Sequence, residues 1–141
     1  MVEASGRPSS RRVAVVTGAA AGIGRAEAIA LARVGHDIGL TAHADVAGVE
    51  ETARQCEAFG ARTLVTPADI ACGEDIRRLV AAVTEAFGRL DVLVNNAGAL
   101  GADLNRPLVE LSEELWHRML DSHLTGTLDA APYCPPIHGR L

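Results

Sequence analysis

Short apolar runs alternate with longer amphipathic segments along most of this 141-residue chain. The short runs are rich in Val, Ile and Leu, which is typical of strands buried on both faces of a parallel sheet. They predict strands at 13–17, 37–42, 62–66 and 90–94. The segments between them carry apolar residues at helical spacing. They predict helices at 22–34, 45–59 and 74–87. A fourth helix is expected to begin after Ser112, because serine is a favourable N-cap residue.

Each of the four predicted helices has a face that we expect to pack against the sheet. The faces of the second and third helices consist of Val46, Val49, Ala53 and Cys56, and of Ile76, Leu79, Val80, Val83 and Phe87. The face of the first helix consists of Ile23, Ala26, Ala30 and Val34. The face of the fourth helix consists of Trp116, Leu120, His123 and Thr127.

Strands that alternate with helices indicate βαβ units and a parallel sheet. Right-handed crossovers in a doubly wound arrangement give the strand order 3-2-1-4. The predicted fold is therefore α/β, a Rossmann-like doubly wound sheet that is incomplete, with about four βα units. In this order the first and fourth strands are neighbours, and their carboxyl ends line one crevice.

A glycine-rich turn follows the first predicted strand and leads directly into the first predicted helix. It reads Thr17-Gly18-Ala19-Ala20-Ala21-Gly22-Ile23-Gly24. Backbone N–H groups at the start of a helix can bind phosphate, and glycine allows the tight turn and close approach that a pyrophosphate needs. A flexible loop is the alternative interpretation. The spacing also differs from the G-x-G-x-x-G pattern, because three residues separate Gly18 from Gly22.

A second motif, Asn95-Asn96-Ala97-Gly98, follows the fourth predicted strand. Together the two motifs resemble the short-chain dehydrogenase/reductase family, in an order and spacing that fit from about residue 12 to about residue 127. The resemblance implies an oxidoreductase that transfers hydride between NAD(P) and a carbonyl or alcohol substrate. Residues 12–130 would be its dinucleotide-binding portion. The implied cofactor-binding residues are Thr17, Gly18, Ala20, Gly22, Ile23, Gly24, His43, Asp69, Ile70, Asn96, Ala97 and Gly98.

The resemblance gives several of these residues a role. Asp69 would accept a hydrogen bond from the adenine amino group, and Ile70 would pack on the ring. Asp69 also fits a cap for the third helix, and one residue can serve both roles. Asn96, Ala97 and Gly98 would border the nicotinamide-side ribose. The alternative for the asparagine is structural, because buried amides also brace strand ends.

The end of the second strand predicts the choice of cofactor. An acid there favours NAD, whereas a cation favours the 2′-phosphate of NADP. By resemblance, Ala42 stands where NAD-preferring members carry their acid, and His43 stands where NADP-preferring members often carry Arg. Asp45 is a competing acid, but it resembles an N-cap of the second helix. We therefore expect NADP, with NAD as the alternative, although Ala21 stands where many NADP-preferring members have a basic residue.

The groups that carry the family's hydride transfer are not found in this sequence. The family uses a Tyr-x-x-x-Lys pair and a serine. The chain has no lysine, its one tyrosine is Tyr133, and the fourth residue after it is Ile137. We therefore assign no catalytic residue and expect an inactive N-terminal portion of such an enzyme. A catalytically silent dinucleotide-binding module and an interaction fragment are the alternative functions.

His123 stands where the family's fourth helix usually has an asparagine that holds a water of the proton relay. A histidine could make a similar hydrogen bond. The favoured alternative is a histidine that packs on an apolar face.

Composition and charge limit the partners and the setting. The net charge of −5 argues against a nucleic-acid or anionic-membrane partner, and no apolar run is long enough to span a bilayer. The three cysteines are widely spaced, which predicts no disulfide and favours a reducing cytoplasmic location. Cys134 and His138 have the spacing of a metal pair, but the prolines between them disfavour a helix, so no metal site is expected.

Both ends of the chain are expected to be irregular. Residues 1–11 read as a disordered polar leader, and residues 131–141 read as a truncated tail rich in proline. The fourth strand would be left as an apolar edge, and such an edge promotes self-association.

Overall fold

The computed structural model describes residues 9–98 and 107–133 of the chain. The strands are β1 (Val13–Thr17), β2 (Asp37–Thr41), β3 (Thr63–Val65) and β4 (Val92–Val94). The helices are α1 (Gly22–Arg33), α2 (Val46–Glu57), α3 (Gly73–Phe87), α4 (Glu113–Leu120) and α5 (Gly126–Ala130). A π-helical turn, Asp121–Thr125, connects α4 to α5, and short 3-10 turns occupy Leu108–Glu110 and Ala131–Tyr133. No helix within these described residues has the length and hydrophobicity needed to cross a bilayer.

The four strands form one parallel sheet in the order β3-β2-β1-β4, which confirms the predicted fold. In the register of β1 with β4, Val16 lies opposite Val94. On the other side of β1, Thr17 lies opposite Thr41 of β2. The carboxyl ends of three adjacent strands therefore meet at one edge of the sheet, where ligands bind in doubly wound folds.

The core has two layers, one on each face of β1. Ala14 and Val16 face α1 and α2, and Val13 and Val15 face α3 with Phe87. All four strand residues are completely buried, as expected of a central parallel strand.

The predicted packing face of α1 is wrong. Ile23 and Val34 are each 72% exposed, and the residues that face the core are Gly24, Ala28 and Ala32. A Cβ atom added at Gly24 would overlap the carbonyl oxygen of Gly18. The backbone of α1 therefore lies so close to the glycine turn that only small residues fit beneath it, and Ile23 and Val34 point outward.

The predicted packing face of the fourth helix is wrong for the same reason. Trp116 is 48% exposed, whereas Ser122, Gly126 and Ala130 are buried. A Cβ atom added at Gly126 would overlap the carbonyl oxygen of Ile70 in the loop before α3. Only small residues fit where the helix contacts the loop, so the large side chain of Trp116 lies away from this contact.

The folded part of the chain begins earlier than residue 12, the expected boundary. Ser9 is buried, and its hydroxyl donates to Asp37 Oδ2 at 2.6 Å. The Ser9 amide donates to the carbonyl of Phe87 at 2.7 Å, and Arg11 Nη1 donates to the carbonyl of Gly60 at 2.8 Å. The buried carboxylate of Asp37 requires hydrogen-bond donors, and Ser9 supplies one of them. Residues 1–8 of the expected leader and residues 134–141 of the expected tail, with Cys134 and His138, lie outside the described residues.

Asp91, just before β4, connects this strand to β1. Asp91 Oδ2 accepts from the amide of Val13 at 2.8 Å, and both carboxylate oxygens accept from Arg89 at 2.8 Å. The hydrogen bond from Arg89 lowers the pKa of Asp91, and partial burial of the carboxyl opposes this effect. The Val13 amide lowers the pKa further, so that it lies below the ordinary value for aspartate.

The lowered pKa predicts how the stability depends on pH. The ionised carboxylate stabilises the fold above the unfolded-state pKa of about 3.9, and this contribution is lost as the pH falls through the lower folded-state pKa. We expect Asp91→Asn to reduce the free energy of unfolding at pH 7, with a smaller penalty near pH 3. Urea unfolding of both proteins at the two pH values measures the difference. A penalty of equal size at both values would contradict the assignment.

Candidate functional site

The glycine turn after β1 and the chain after β4 form two sides of one cleft of about 630 Å³. The ends of β2 and β3 and the helix α4 complete its wall. The predicted site residues that line it are Gly18, Gly22, Ile23, His43, Asp69, Ile70, Asn96, Ala97, Gly98 and His123. The remaining predicted residues, Thr17, Ala20 and Gly24, are not among its lining residues, and Thr17 and Gly24 contact residues that are.

The Thr17 hydroxyl connects the two sides of the cleft. Its oxygen accepts from the backbone amides of Asn96 at 3.1 Å and Ala97 at 3.0 Å, and it donates to the carbonyl of Val94 at 3.2 Å. The Asn96 side-chain amide donates in return to the carbonyls of Thr17 at 2.9 Å and Gly18 at 3.2 Å. These bonds form the Thr17–Asn96 network. The structural role considered for Asn96 is therefore present, on a residue that also lines the cleft.

Gly18 and Gly22 are required for different reasons. Both have a positive φ, +65° and +56°, which other residues rarely adopt. A Cβ atom at Gly18 would lie 2.9 Å from Ala97 Cα, so this glycine also allows the two chains to approach. A Cβ atom at Gly22 would have no neighbour within 4 Å. The turn is therefore closely packed against Ala97 at Gly18, whereas the space next to Gly22 is open.

The N-terminus of α1 opens onto the cleft without a side-chain cap. Its N-cap residue, Ala21, provides no side-chain hydrogen bond, and its first turn has no acidic residue. By contrast, Asp45 caps α2 by accepting from the amide of Gly48 at 2.9 Å, and Ser112 caps α4. The first amides of a helix need acceptors, and the helix dipole favours an anion there. Ala21 and Gly22 line the cleft, so these features suit a bound phosphate.

Two residues that sequence patterns did not indicate hold the other side of the glycine turn. The Thr52 hydroxyl lies 2.8 Å from the carbonyl oxygen of Ala19, and Arg25 Nε donates to Thr52 at 3.0 Å. The Arg25 guanidinium also donates to the carbonyl of Ala20. The turn carbonyls are thereby directed toward α2, away from the ligand side. No local signal marked this pair, because Thr52 lies 33 positions from Ala19 and 27 positions from Arg25.

Asp69 lies on the opposite wall, in the loop between β3 and α3. Its Oδ1 accepts from the amide of Ala71 at 3.0 Å, and its Oδ2 accepts from Arg118 Nη1 at 2.9 Å. Burial of the carboxylate raises its pKa, but the hydrogen bonds from Ala71 and Arg118 and the charges of Arg118 and His43 lower it more. The net pKa of Asp69 is below the ordinary value, so the group is a carboxylate at neutral pH. It does not cap α3, whose N-cap residue is Cys72.

The structure places both histidines of interest at the cleft. The side chain of His43 is largely exposed, with Nδ1 at 3.4 Å from Asp69 Oδ2. Asp45, the competing acid, caps α2 instead. His123 is exposed and does not pack on an apolar face as favoured from the sequence. Its ring lies against Gly98, where a Cβ atom would overlap it. The π-helical turn that contains His123 positions the ring there.

Comparison with known proteins identifies the family. The model of the family described as short chain dehydrogenase matches residues 12–136. The chain belongs to the short-chain dehydrogenase family. It is 44% identical over 128 residues to a Mycobacterium tuberculosis protein named as an uncharacterized NAD-dependent oxidoreductase, covering 82% of this chain and 46% of the relative.

Solved structures of the family share the fold. A metagenomic short-chain oxidoreductase in complex with NADP has a TM-score of 0.80 and 33% identity, with 89% of this chain and 55% of that chain covered. L-sorbose reductase from Gluconobacter frateurii, complexed with NADPH and L-sorbose, has a TM-score of 0.80 and 34% identity, with 92% and 48% covered. The chain spans about half the length of the curated relatives it matches.

The Thr17–Asn96 network predicts the effect of removing one oxygen atom. Thr17→Val keeps the shape of the side chain but leaves the amides of Asn96 and Ala97 without their acceptor. We expect the free energy of unfolding to fall by about 1–3 kcal/mol. Thr17→Ser, which keeps the hydroxyl, should retain most of the stability. Chemical denaturation of the three proteins measures this. Unchanged stability in Thr17→Val would contradict the role of the hydroxyl in the network.

Proposed function

We propose that residues 12–130 bind a nicotinamide dinucleotide, as the cofactor-binding portion of an oxidoreductase acting on a carbonyl or alcohol substrate. The bound nicotinamide would supply or accept the hydride. The observation that carries this proposal is the uncapped N-terminus of α1, which opens onto the same cleft as Asn96 and Gly98. The glycine turn and this helix N-terminus would hold the pyrophosphate. The residues proposed to bind the cofactor are the twelve inferred from the sequence, with Thr17, Ala20 and Gly24 supporting the turn.

We propose NADP as the preferred cofactor, with NAD as the alternative. The cleft wall at the end of β2 consists of Ala42 and His43, neither of which is acidic. Asp45 is engaged as a helix cap, so it is not available to bind a ribose hydroxyl. A protonated His43 would pair with the 2′-phosphate. Relatives do not decide the question, because one is named NAD-dependent and another is solved with NADP.

Titration with the two cofactors tests both the binding and the preference. At mildly acidic pH, where an imidazole is protonated, we expect NADP to bind more tightly than NAD. The preference should decrease at pH 8 and in His43→Gln. Calorimetry at pH 6 and pH 8 measures it, and Gly18→Val serves as the control that should bind neither cofactor. Equal or tighter binding of NAD at pH 6 would refute the role of His43, and no binding of either cofactor would refute the proposed function.

We also infer that the 141-residue chain binds the cofactor without catalysing its turnover. The printed sequence has no lysine and one tyrosine, so it contains no Tyr-x-x-x-Lys pair. It would then act as a catalytically silent dinucleotide-binding module. Assays with NADPH and a panel of ketones and aldehydes should show no reduction. Reproducible turnover that Gly18→Val abolishes would contradict this inference.

Self-association is the partner interaction that we propose, with an interaction fragment as the corresponding alternative function. Within the described residues β4 ends the sheet. On the helices after it, Trp116, Leu124 and Leu128 are exposed apolar residues, which we call the apolar stripe. Both features favour association between copies.

We propose a reducing, cytoplasmic location for the protein. Cys56 and Cys72 are free thiols, and burial of Cys56 raises the pKa of its thiol to about 11.

A charge placed on the apolar stripe tests the association. Size-exclusion chromatography with light scattering at micromolar concentration should show species larger than the 14.7 kDa monomer. Leu128→Lys should shift the distribution toward monomer if the stripe is responsible. Val109→Lys, at an exposed apolar position outside the helix, is the matched control. A monomeric wild-type chain would contradict the proposal, and association that persists in Leu128→Lys would assign it to the β4 edge.

A further inference from the structure

Arg118 is the residue through which α4 reaches the far wall of the cleft. Its Nη1 donates to Asp69 Oδ2 at 2.9 Å, although the two residues are 49 positions apart in the chain. Arg118 also lines the cleft, and its side chain is 45% exposed. The ion pair therefore stands at the cleft itself and is not a remote surface contact.

Two further contacts hold α5, which follows α4, against the loop that contains Asp69 and against the start of α3. Gly126 lies against the carbonyl of Ile70, so closely that a Cβ atom would overlap the oxygen. Further along, the carboxylate of Asp129 is near Gly73, where an added Cβ atom would lie 3.2 Å from Asp129 Oδ2. The helix is thus held along the loop at several points, and Arg118 approaches Asp69 from a supported backbone.

The donors around Asp69 restrict how its carboxylate can rotate. Oδ1 is bound to the amide of Ala71, and Oδ2 is bound to Arg118 with His43 at 3.4 Å. A carboxylate has about four acceptor positions, so the hydrogen bonds from Ala71 and Arg118 leave acceptor capacity for a ligand. Without Arg118, the carboxylate would keep the Ala71 bond but would lose the partner that defines the orientation of Oδ2.

We propose that Arg118 is a positioning residue that holds the Asp69 carboxylate in the orientation that accepts an N–H group from the adenine base. This inference rests on the proposed function, in which the cleft binds a nicotinamide dinucleotide. It makes Arg118 a determinant of base specificity. Adenine presents an amino donor to the carboxylate. Hypoxanthine presents a carbonyl oxygen at the same place, which cannot donate and is repelled by the negative charge.

The experiment compares NADP with its hypoxanthine analogue, in which a carbonyl oxygen replaces the adenine amino group, by calorimetry on the 141-residue chain. We expect the wild type to prefer NADP by about tenfold or more, the value of one hydrogen bond to a charged group. Arg118→Met, which keeps the aliphatic stem, should reduce this preference to about twofold or less, by weakening NADP binding and leaving the analogue nearly unaffected. Arg118→Lys keeps the charge and should retain part of the preference.

A matched control separates positioning from a general loss of structure. Arg77→Met removes an exposed cation of α3 whose partner is Glu74, and it should leave the preference unchanged. The fluorescence of Trp116, the single tryptophan, reports on whether α4 is native in each variant. If Arg118→Met does not fold, the comparison of Arg118→Lys with the wild type still tests the loss of preference.

The possible results are distinguishable. Failure of the wild type to bind NADP and NAD would overturn the proposed function, and this inference with it. Dinucleotide binding with an unchanged adenine preference in folded Arg118→Met would overturn only the positioning role. Equal weakening of NADP and the analogue would also overturn it, because a merely structural residue would act on both. A wild type without preference would show that Asp69 does not contact the amino group.

Discussion

Thr17 ends β1 with a hydroxyl group that completes the hydrogen bonding of the chain after β4. The strand pairing of β1 with β4 ends at Val16 and Val94, and beyond it the Thr17 oxygen accepts two amides that would otherwise lack a partner. The Asn96 side-chain amide donates hydrogen bonds to the carbonyls of Thr17 and Gly18. Because buried backbone groups must be paired, this network fixes the distance between the two sides of the cleft.

The short distance set by this network explains the small residues around it. Gly18 has no room for a Cβ atom beside Ala97, and Gly24 has none beneath the carbonyl of Gly18. The close approach of α1 to the glycine turn also brings the uncapped N-terminus of this helix to the cleft. The backbone amides of that N-terminus could there donate hydrogen bonds to an anion. Packing and ligand chemistry are therefore two consequences of one constraint, which is the close approach of β1, α1 and the end of β4.

Sequence patterns predicted the strand order and the meeting of the two motifs, because both follow from local periodicity and from the rules of parallel sheets. They failed where contacts between distant segments decide the outcome. Apolar periodicity selected Ile23 and Trp116 as core residues, yet close backbone approach placed Gly24 and Gly126 there. No sequence pattern predicted the ion pair of Arg118 with Asp69, because the two residues are 49 positions apart in the chain.

If the two strand ends form a single dinucleotide site, as we propose, NADP will protect the backbone amides of both ends, which amide hydrogen exchange with and without NADP measures. We expect added protection at residues 18–24 and 96–98 together. A second cleft, between α2 and β3 and lined by residues such as Glu50, Arg54 and Leu64, should show little change. Protection confined to the second cleft, or to only one of the two strand ends, would contradict it.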